Sequence, residues 1–484
     1  MNTTPPFPPE VWEHTPVAVQ EYIRTLEARV ATLEATVQRL LERLQQDSHN
    51  SSRPPSSDPP PALGKRARCG PSGRKRGGQP GHLGQTRTLV PTEDVDTVVP
   101  VKPQHCHHCQ HPLQGEDPQP HRHQVTELPP VKPRVTEYRL HRLLCPACGV
   151  ATRADVPPGV PPGGFGPRVQ ATVALCTGAY HLSKRTTQDV MADLFGISVS
   201  LGTIANLEQA IVKAVAAPVA EARTYVRAQS SAHLDETGWR EGRARAWLWV
   251  AVTAWVTVFV VRLSRGTKVA QELLGDRFCG ILVTDRWSAY TWYPTRWRQV
   301  CWAHLLRDIE AMIERGGRSQ EIGDALRPQA RQMFHWWHQV RDGTLTHAQF
   351  RALMRPLRRH VARLLKAGQT CGVAKTEGVC REVLKVYEAL WTFVRVEGIE
   401  PTNNAAERAI RPGVLWRKGS FGTQSAQGSR FVEAMMTVVA TLKQQHRHVL
   451  AYMTEACQAA YTGLPAPSLL PCHFEAEEDL PVAA

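Results

Sequence analysis

The stretch Ser231-Ala232-His233-Leu234-Asp235-Glu236-Thr237-Gly238-Trp239 decides how the whole chain is read. It predicts a strand, and it sets Asp235 among apolar neighbours where an unpaired carboxylate is costly. Adjacent strand residues face opposite sides, so Asp235 and the neighbouring Glu236 belong to different faces, and the alternation favours Asp235 for a shared site. Working outward, residues 247–253 and 255–263 follow as an antiparallel pair, and residues 280–284 form a fourth strand that ends on Asp285. Two carboxylates thus stand on or at the end of strands that can be neighbours.

Most of the chain between Asp285 and Glu407 carries helical periodicity. A helical insertion at about 303–396 is therefore expected, followed by a short polar helix at Asn404 that lays Glu407 against the sheet. The fold class this predicts is a multidomain α+β protein with an RNase-H-like mixed-sheet core interrupted by that insertion. Three converging carboxylates suit two Mg²⁺ (or Mn²⁺) ions per site, hard cations that take oxygen ligands and serve in-line phosphoryl displacement. Plainer readings stand beside this one. Asp235 and Asp285 can cap turns after strands, and Glu236 can claim the metal. Glu407 lies three residues after Asn404, as in a capping box, and four before Arg411, as in a helical ion pair.

Upstream, Cys106-x-x-Cys109 and Cys145-x-x-Cys148 each space two thiolates to bite one tetrahedral ion, which predicts a structural zinc. The intervening loop has room for a small sheet, and residues 125–128 and 134–140 read as its strands. His105, His107, His108 and His111 crowd the first pair, but four cysteines already close a site. Residues 185–214 read as two helices around a turn at Gly196-Ile197-Ser198, with Ser200 as cap. This is the pattern of a helix-turn-helix that reads DNA, and equally of two helices that merely pack.

Nearer the N-terminus, Ile23, Leu26, Val30, Leu33, Val37, Leu40 and Leu44 form a heptad with Ile or Val at most a positions and Leu at d. That choice favours a parallel two-stranded coiled coil, with Arg29 at g placed to meet Glu34 at e of a second helix; the alternative is one amphipathic helix packed on its own chain. Between the heptad and the cysteines the composition turns to Pro, Gly, Ser and basic residues, too poor in apolar side chains for a core. Lys65, Arg66, Arg68, Arg74, Lys75 and Arg76 lie there without an intervening acid, as in flexible arms that neutralise phosphates.

The balance of 58 Lys and Arg against 44 Asp and Glu gives a formal charge of +14, which suits a polyanionic partner. No signal-like N-terminus is seen, and the apolar run at 246–261 is short of the ~20 residues that span a bilayer. No membrane partner is expected. Paired cysteines point to metal in a reducing compartment, so a cytoplasmic, nucleoid-associated protein is expected.

These blocks resemble the DDE transposases of insertion-sequence family sixty-six. The resemblance rests on Pro54-Pro55-Ser56-Ser57-Asp58, Arg74-Lys75-Arg76-Gly77-Gly78-Gln79-Pro80-Gly81-His82 and the two cysteine pairs, then on His233-Leu234-Asp235-Glu236-Thr237. It continues through Cys301-Trp302-Ala303-His304-Leu305-Leu306-Arg307-Asp308, Pro401-Thr402-Asn403-Asn404-Ala405-Ala406-Glu407-Arg408, Arg411-Pro412 and Arg417-Lys418-Gly419-Ser420-Phe421-Gly422. Because the blocks run in family order over about 23–460, the resemblance covers nearly the whole chain. One departure follows the second aspartate, where Asp285-Arg286-Trp287-Ser288-Ala289-Tyr290 replaces a Gly-Tyr type continuation.

The resemblance implies a coiled coil (1–50), a basic linker (51–92), a four-cysteine zinc module (93–155), a helical DNA-binding region (165–225), a catalytic domain (226–430) and C-terminal helices with an acidic tail (431–484). It implies Asp235, Asp285 and Glu407 as the catalytic triad. Arg408, Arg411, Arg417 and Lys418 follow Glu407, where they can hold a DNA backbone or form surface ion pairs. Arg286 is read as a phosphate contact or an ordinary surface arginine, and His304, with Arg307, as a residue near the site or a helix-packing histidine. The function expected is cleavage and strand transfer at element ends, on double-stranded DNA, by a homo-oligomer joined through the coiled coil and assisted by accessory proteins of the element. The rivals are a DNA-binding regulator without cleavage and an RNase-H-like nuclease that hydrolyses only.

Overall fold

The computed structural model describes residues 8–44 and 88–471. The basic residues Lys65, Arg66, Arg68, Arg74, Lys75 and Arg76, and the acidic tail, lie outside the described residues. A short helix α1 (Pro9–Glu13) precedes the 28-residue helix α2 (Val17–Leu44). Along the heptad of α2, Leu26, Val30, Leu33, Val37 and Leu40 are all at least 40% exposed among the described residues.

Each cysteine pair forms a tight knuckle, and the two knuckles repeat one hydrogen-bond scheme. Cys106 N–H donates to His111 O and Gln110 N–H to Cys106 O; Cys145 N–H donates to Val150 O and Gly149 N–H to Cys145 O, all at 2.9 Å. The fifth residue of each knuckle has a positive φ, 60° at Gln110 and 71° at Gly149. Strands β1 (Arg142–Leu144) and β2 (Ala151–Arg153) pair antiparallel around the second knuckle. The strands expected at 125–128 and 134–140 do not form. Those residues lack ladder partners, and Val125, Leu128 and Val135 are at least 80% exposed, so nothing rewards their alternation with burial.

Four helices follow: α3 (Pro167–Gly178), α4 (Lys184–Phe195), α5 (Leu201–Ala214) and α6 (Ala216–Arg227). The turn between α4 and α5 falls where the sequence predicts it. Gly196 ends α4 at φ 64°, and the Ser200 hydroxyl accepts from Thr203 N–H to cap α5. Helix α5 is largely enclosed, with Ile204, Leu207, Ile211 and Ala214 buried, and Glu208 pairs with Lys184 at 2.7 Å. One face of it thus belongs to a helical core, a feature that the DNA-reading and packed-helix alternatives share.

The central sheet comprises β3 (Ser231–Glu241), β4 (Ala244–Val252) and β5 (Thr257–Arg262), then, after helix α7 (Thr267–Leu274), β6 (Ile281–Thr284) and β7 (Arg298–Val300). Their order is β5-β4-β3-β6-β7, the first three antiparallel and the last two parallel to β3. All four strands expected on either side of Asp235 therefore form, with β7 added at the far edge.

The insertion consists of α8 (Trp302–Glu314), α9 (Gly317–Arg341), α10 (His347–Gly368), α11 (Ala374–Lys385) and the short α12 (Thr392–Arg395). It has a core of its own, in which Met333, Trp337, Phe350 and Phe393 pack together, and which reaches Ile281, Val283 and Val300 of the sheet. Its two ends meet: Trp302 N–H donates to Pro401 O at 3.0 Å, and Cys301 N–H to Thr284 O at 2.8 Å.

The chain then returns through α13 (Asn404–Ser420), α14 (Ala426–Gln444) and α15 (Val449–Thr462). Ala406 and Ile410 of α13 pack on Leu248, Val250 and Phe259, one face of the sheet. The opposite face, with Leu234, Trp249 and Val260, packs on α6, α7, α14 and α15. Helix α14 also closes the β5 edge: Glu433, Thr437 and Thr441, four residues apart, accept from the N–H groups of Val261, Phe259 and Thr257. An edge whose donors are so occupied is not open to pairing with another chain.

Candidate active site

Register decides which face Asp235 serves. Asp235 pairs with Val250, and Val250 with Phe259, both in the layer that α13 covers. Glu236 pairs with Trp249 in the opposite layer. Strand alternation therefore separates the two carboxylates as the sequence predicts, and Asp235 looks toward the helix that carries Glu407.

Helix α13 is fixed there by Asn403. Its side-chain N–H donates to Leu234 O at 2.7 Å, its side-chain oxygen lies 3.2 Å from His233 Nδ1, and its backbone N–H donates to Cys301 Sγ at 3.1 Å. One turn on, Glu407 lies at the sheet. The local alternatives for Glu407 are not realised: the N-cap residue is Asn403 without a side-chain cap, and among the described residues no ion pair joins Glu407 to Arg411. Glu407 Oε1 instead lies 3.6 Å from His304 Nδ1.

Asp285 leaves the end of β6, with its Oδ1 accepting from Trp287 N–H at 2.8 Å. Behind it, the buried guanidinium of Arg298 donates to Thr284 Oγ1 and to Asp285 O. Burial holds Arg298 down at about 10, and nearby Asp285 and Tyr290 oppose that drop. Among the described residues the ligand oxygens of the three carboxylates do not all lie within 4.8 Å of one another. Burial pushes the Asp235 carboxyl well above the ordinary carboxylate range, and the charges of Glu236, Asp285 and Glu407 push it further. A site that resists its own negative charge in this way fits a cation.

Glu236 is buried behind the sheet, where Arg265 donates to it at 2.8 Å and the Tyr290 hydroxyl donates to its other oxygen. Arg265 in turn lies 3.9 Å over the ring of Trp287. This network anchors the segment after Asp285, and nothing local in the sequence announces it.

Several expectations change here. His304, left between a place near the site and a packing role, sits against Glu407, and burial with the adjacent Arg307 charge lowers its pKa. Arg286 is not a free surface arginine, because its guanidinium pairs with half-buried Asp308. Arg417 turns inward and donates to Thr237 Oγ1 and Gly238 O, bracing β3. Arg408, Arg411 and Lys418 are exposed and make no ion pair with a described residue. Arg298 and Arg265 carry no signal in the sequence, because their partners are distant along the chain.

In the zinc module, the thiol of Cys106 is lowered by N–H groups of Cys109 and His108, and that of Cys145 by those of Cys148 and Ala147. Such thiols favour the thiolate a metal needs. The knuckles are each formed, but among the described residues the one group of three ligand atoms within 4.8 Å is Cys301, His304 and Glu407, so the four cysteines are not drawn to one point.

Comparison with known proteins bears on all of this. Residues 162–430 match the model described as the transposase IS66 family, and residues 103–149, which hold all four cysteines, match the zinc-finger binding domain of transposase IS66. The second match supports a structural zinc. Residues 8–88 match a family of unknown function. A Sinorhizobium fredii (strain NBRC 101917 / NGR234) protein called uncharacterized protein y4qI is 30% identical over 227 residues, 43% of this chain and 41% of its own length. Among the described residues no helix is long and apolar enough to cross a membrane. With more than half of its length, including Asp235, Asp285 and Glu407, inside the first of these matches, the chain belongs to the IS66 family of transposases.

Proposed function

We propose that this chain is an active DNA transposase with an RNase-H-like core, in which Asp235, Asp285 and Glu407 hold two magnesium or manganese ions. The observation that carries the proposal is the sheet register, which turns Asp235 toward the layer covered by α13, the helix that carries Glu407, and sets Asp285 at the end of the neighbouring parallel strand β6. The strand order, with three antiparallel strands followed by two parallel ones, supports the RNase-H-like reading. Such ions, when bound, activate an attacking oxygen and stabilise a leaving oxygen on phosphorus.

The chain's own residues supply the rest. Trp287 N–H and the Arg298 guanidinium hold the Asp285 turn in place. Asn403 ties the start of α13 to β3, so Glu407 keeps its distance from Asp235. Exposed Arg408, Arg411 and Lys418 are free to neutralise DNA phosphates beside the carboxylates, while Arg417 keeps the strand beneath them rigid. The basic segment with Lys65, Arg66, Arg68, Arg74, Lys75 and Arg76 adds sequence-independent affinity, and the zinc module and the helical region contribute to recognition of the element's ends.

The exposed heptad face of α2 supports pairing with a second copy, which would bring two ends together. The site of action is the nucleoid, with accessory proteins of the element as further partners.

The test is product analysis. The protein is incubated with Mg²⁺ and duplexes carrying the inverted repeats that flank its coding region, with a supercoiled target. Joined products are expected. Nicked but never joined DNA indicates a hydrolytic nuclease, and bound but uncut DNA a regulator; either result overturns the proposal.

A further inference from the structure

We propose that Cys301, His304 and Glu407 form a three-ligand site for a borderline-soft divalent cation of the zinc class, distinct from the four-cysteine module. Their ligand atoms all lie within 4.8 Å of one another, the one such group among the described residues.

Two of the three ligand atoms need a partner. His304 Nδ1 and Glu407 Oε1 are both buried, and neither has a hydrogen-bond partner. Their 3.6 Å separation is too long for a hydrogen bond between them. Leaving two buried polar atoms unsatisfied costs free energy, and one cation held between them satisfies both.

The third ligand repeats a pattern already present twice in the chain. Cys106 accepts from the backbone N–H groups two and three residues on, His108 and Cys109, and Cys145 does the same from Ala147 and Cys148. Cys301 stands at the N-cap position of α8 and accepts from Asn403 N–H at 3.1 Å; unlike the other two, its thiol is pushed up by burial to about 11. Cys301-x-x-His304 thus shares the spacing of those two pairs, with an imidazole in place of the second thiol. Cys301 lies at the start of α8 and is buried, whereas the other two knuckles are largely exposed.

The donor set selects the ion. Magnesium takes oxygen ligands, whereas one thiolate, one imidazole and one carboxylate suit zinc or cobalt. Three protein ligands leave a fourth position open, as in zinc sites that exchange ligands rather than closed structural ones. Glu407 would be shared with the magnesium of the proposed reaction, so a zinc-class ion would draw it away from Asp235 and Asp285. That consequence rests on the proposed function; the metal site itself does not.

The experiment uses full-length protein in which the four-cysteine module is removed by Cys106→Ser and Cys145→Ser, titrated with Co²⁺ as a coloured stand-in for zinc. One equivalent of cobalt with a thiolate charge-transfer band is expected. The band should vanish when Cys301→Ser is added, and the affinity should fall at least tenfold with His304→Ala or Glu407→Gln while the band remains. Wild-type protein should carry two zinc ions per chain and Cys301→Ser one. Cobalt binding without a thiolate band, or a zinc content that Cys301→Ser and His304→Ala both leave unchanged, overturns the site. A protein that passes this titration yet never cuts DNA keeps the site and loses the transposase reading. One that joins DNA with Mg²⁺ but shows no such band loses the site alone.

Discussion

The backbone N–H of Trp302 donates to the carbonyl oxygen of Pro401 at 3.0 Å, so the helical insertion leaves and re-enters the sheet at a single point. This closure brings α13, and Glu407 with it, back to the sheet although a whole helical subdomain separates that helix from β7 in sequence. The cost of bringing the ends together grows only slowly with loop length, and the insertion's own core offsets it.

The seat of α13 on the sheet depends on a close approach at Gly413. A Cβ there would run into the buried tip of Leu248 and lie 3.1 Å from Met436 Cε. Gly413→Ala should therefore lower stability by about 1–3 kcal/mol through overpacking and reduce metal-dependent cleavage by shifting Glu407. Urea unfolding with parallel cleavage assays checks this; an unchanged midpoint shows that the helix does not need the glycine.

His233 gives the fold an acid sensitivity of known sign. Burial, with the Arg408 charge, depresses it from an ordinary value of 6.5 to about 4, against the opposing effect of its Asn403 hydrogen bond. Between those values the unfolded chain takes up a proton that the folded chain refuses, so stability is lost as pH falls from about 6.5 toward 4. His233→Gln should flatten that part of the profile by up to one proton, about 1.4 kcal/mol per pH unit. Equal slopes for both proteins in chemical denaturation would remove His233 from this role.

Asp235 acts in the opposite direction. Its pKa is raised in the folded state, chiefly by burial and then by the neighbouring carboxylates, so its contribution to stability is complete in acid and is lost as pH rises through the raised value. In magnesium-free buffer at neutral pH, Asp235→Asn should therefore melt about 2–4 °C higher than the wild type, the equivalent of ~1 kcal/mol in a domain of this size. Added Mg²⁺ should raise the wild-type Tm and leave the variant unmoved. A variant less stable than wild type without metal contradicts the electrostatic account of the site.

The strands around Asp235 could be read from sequence because alternation and turn residues are local signals, and the insertion because helical periodicity persists from Trp302 to Arg395. What sequence could not supply is long-range. The Glu236–Arg265–Tyr290 network and the Arg298 brace join residues whose partners only the sheet brings together. The inward turn of Arg417 likewise depends on β3 passing beneath α13. His304 was within reach, since Cys301-x-x-His304 has the spacing of the two cysteine knuckles. The strands expected at 125–128 and 134–140 failed for a related reason: alternation predicts a strand only where a partner and a core exist to receive it.

The most direct test of the shared carboxylate site is Mg²⁺-dependent cleavage of end-bearing DNA by Asp235→Asn, Asp285→Asn and Glu407→Gln, with DNA affinity measured on the same preparations. Each variant should lose cleavage by at least a thousandfold, on the order of 4 kcal/mol of transition-state stabilisation, while binding DNA within about threefold of the wild type. Wild-type cleavage by any one of the three contradicts the proposal that these side chains act as a single metal-binding unit.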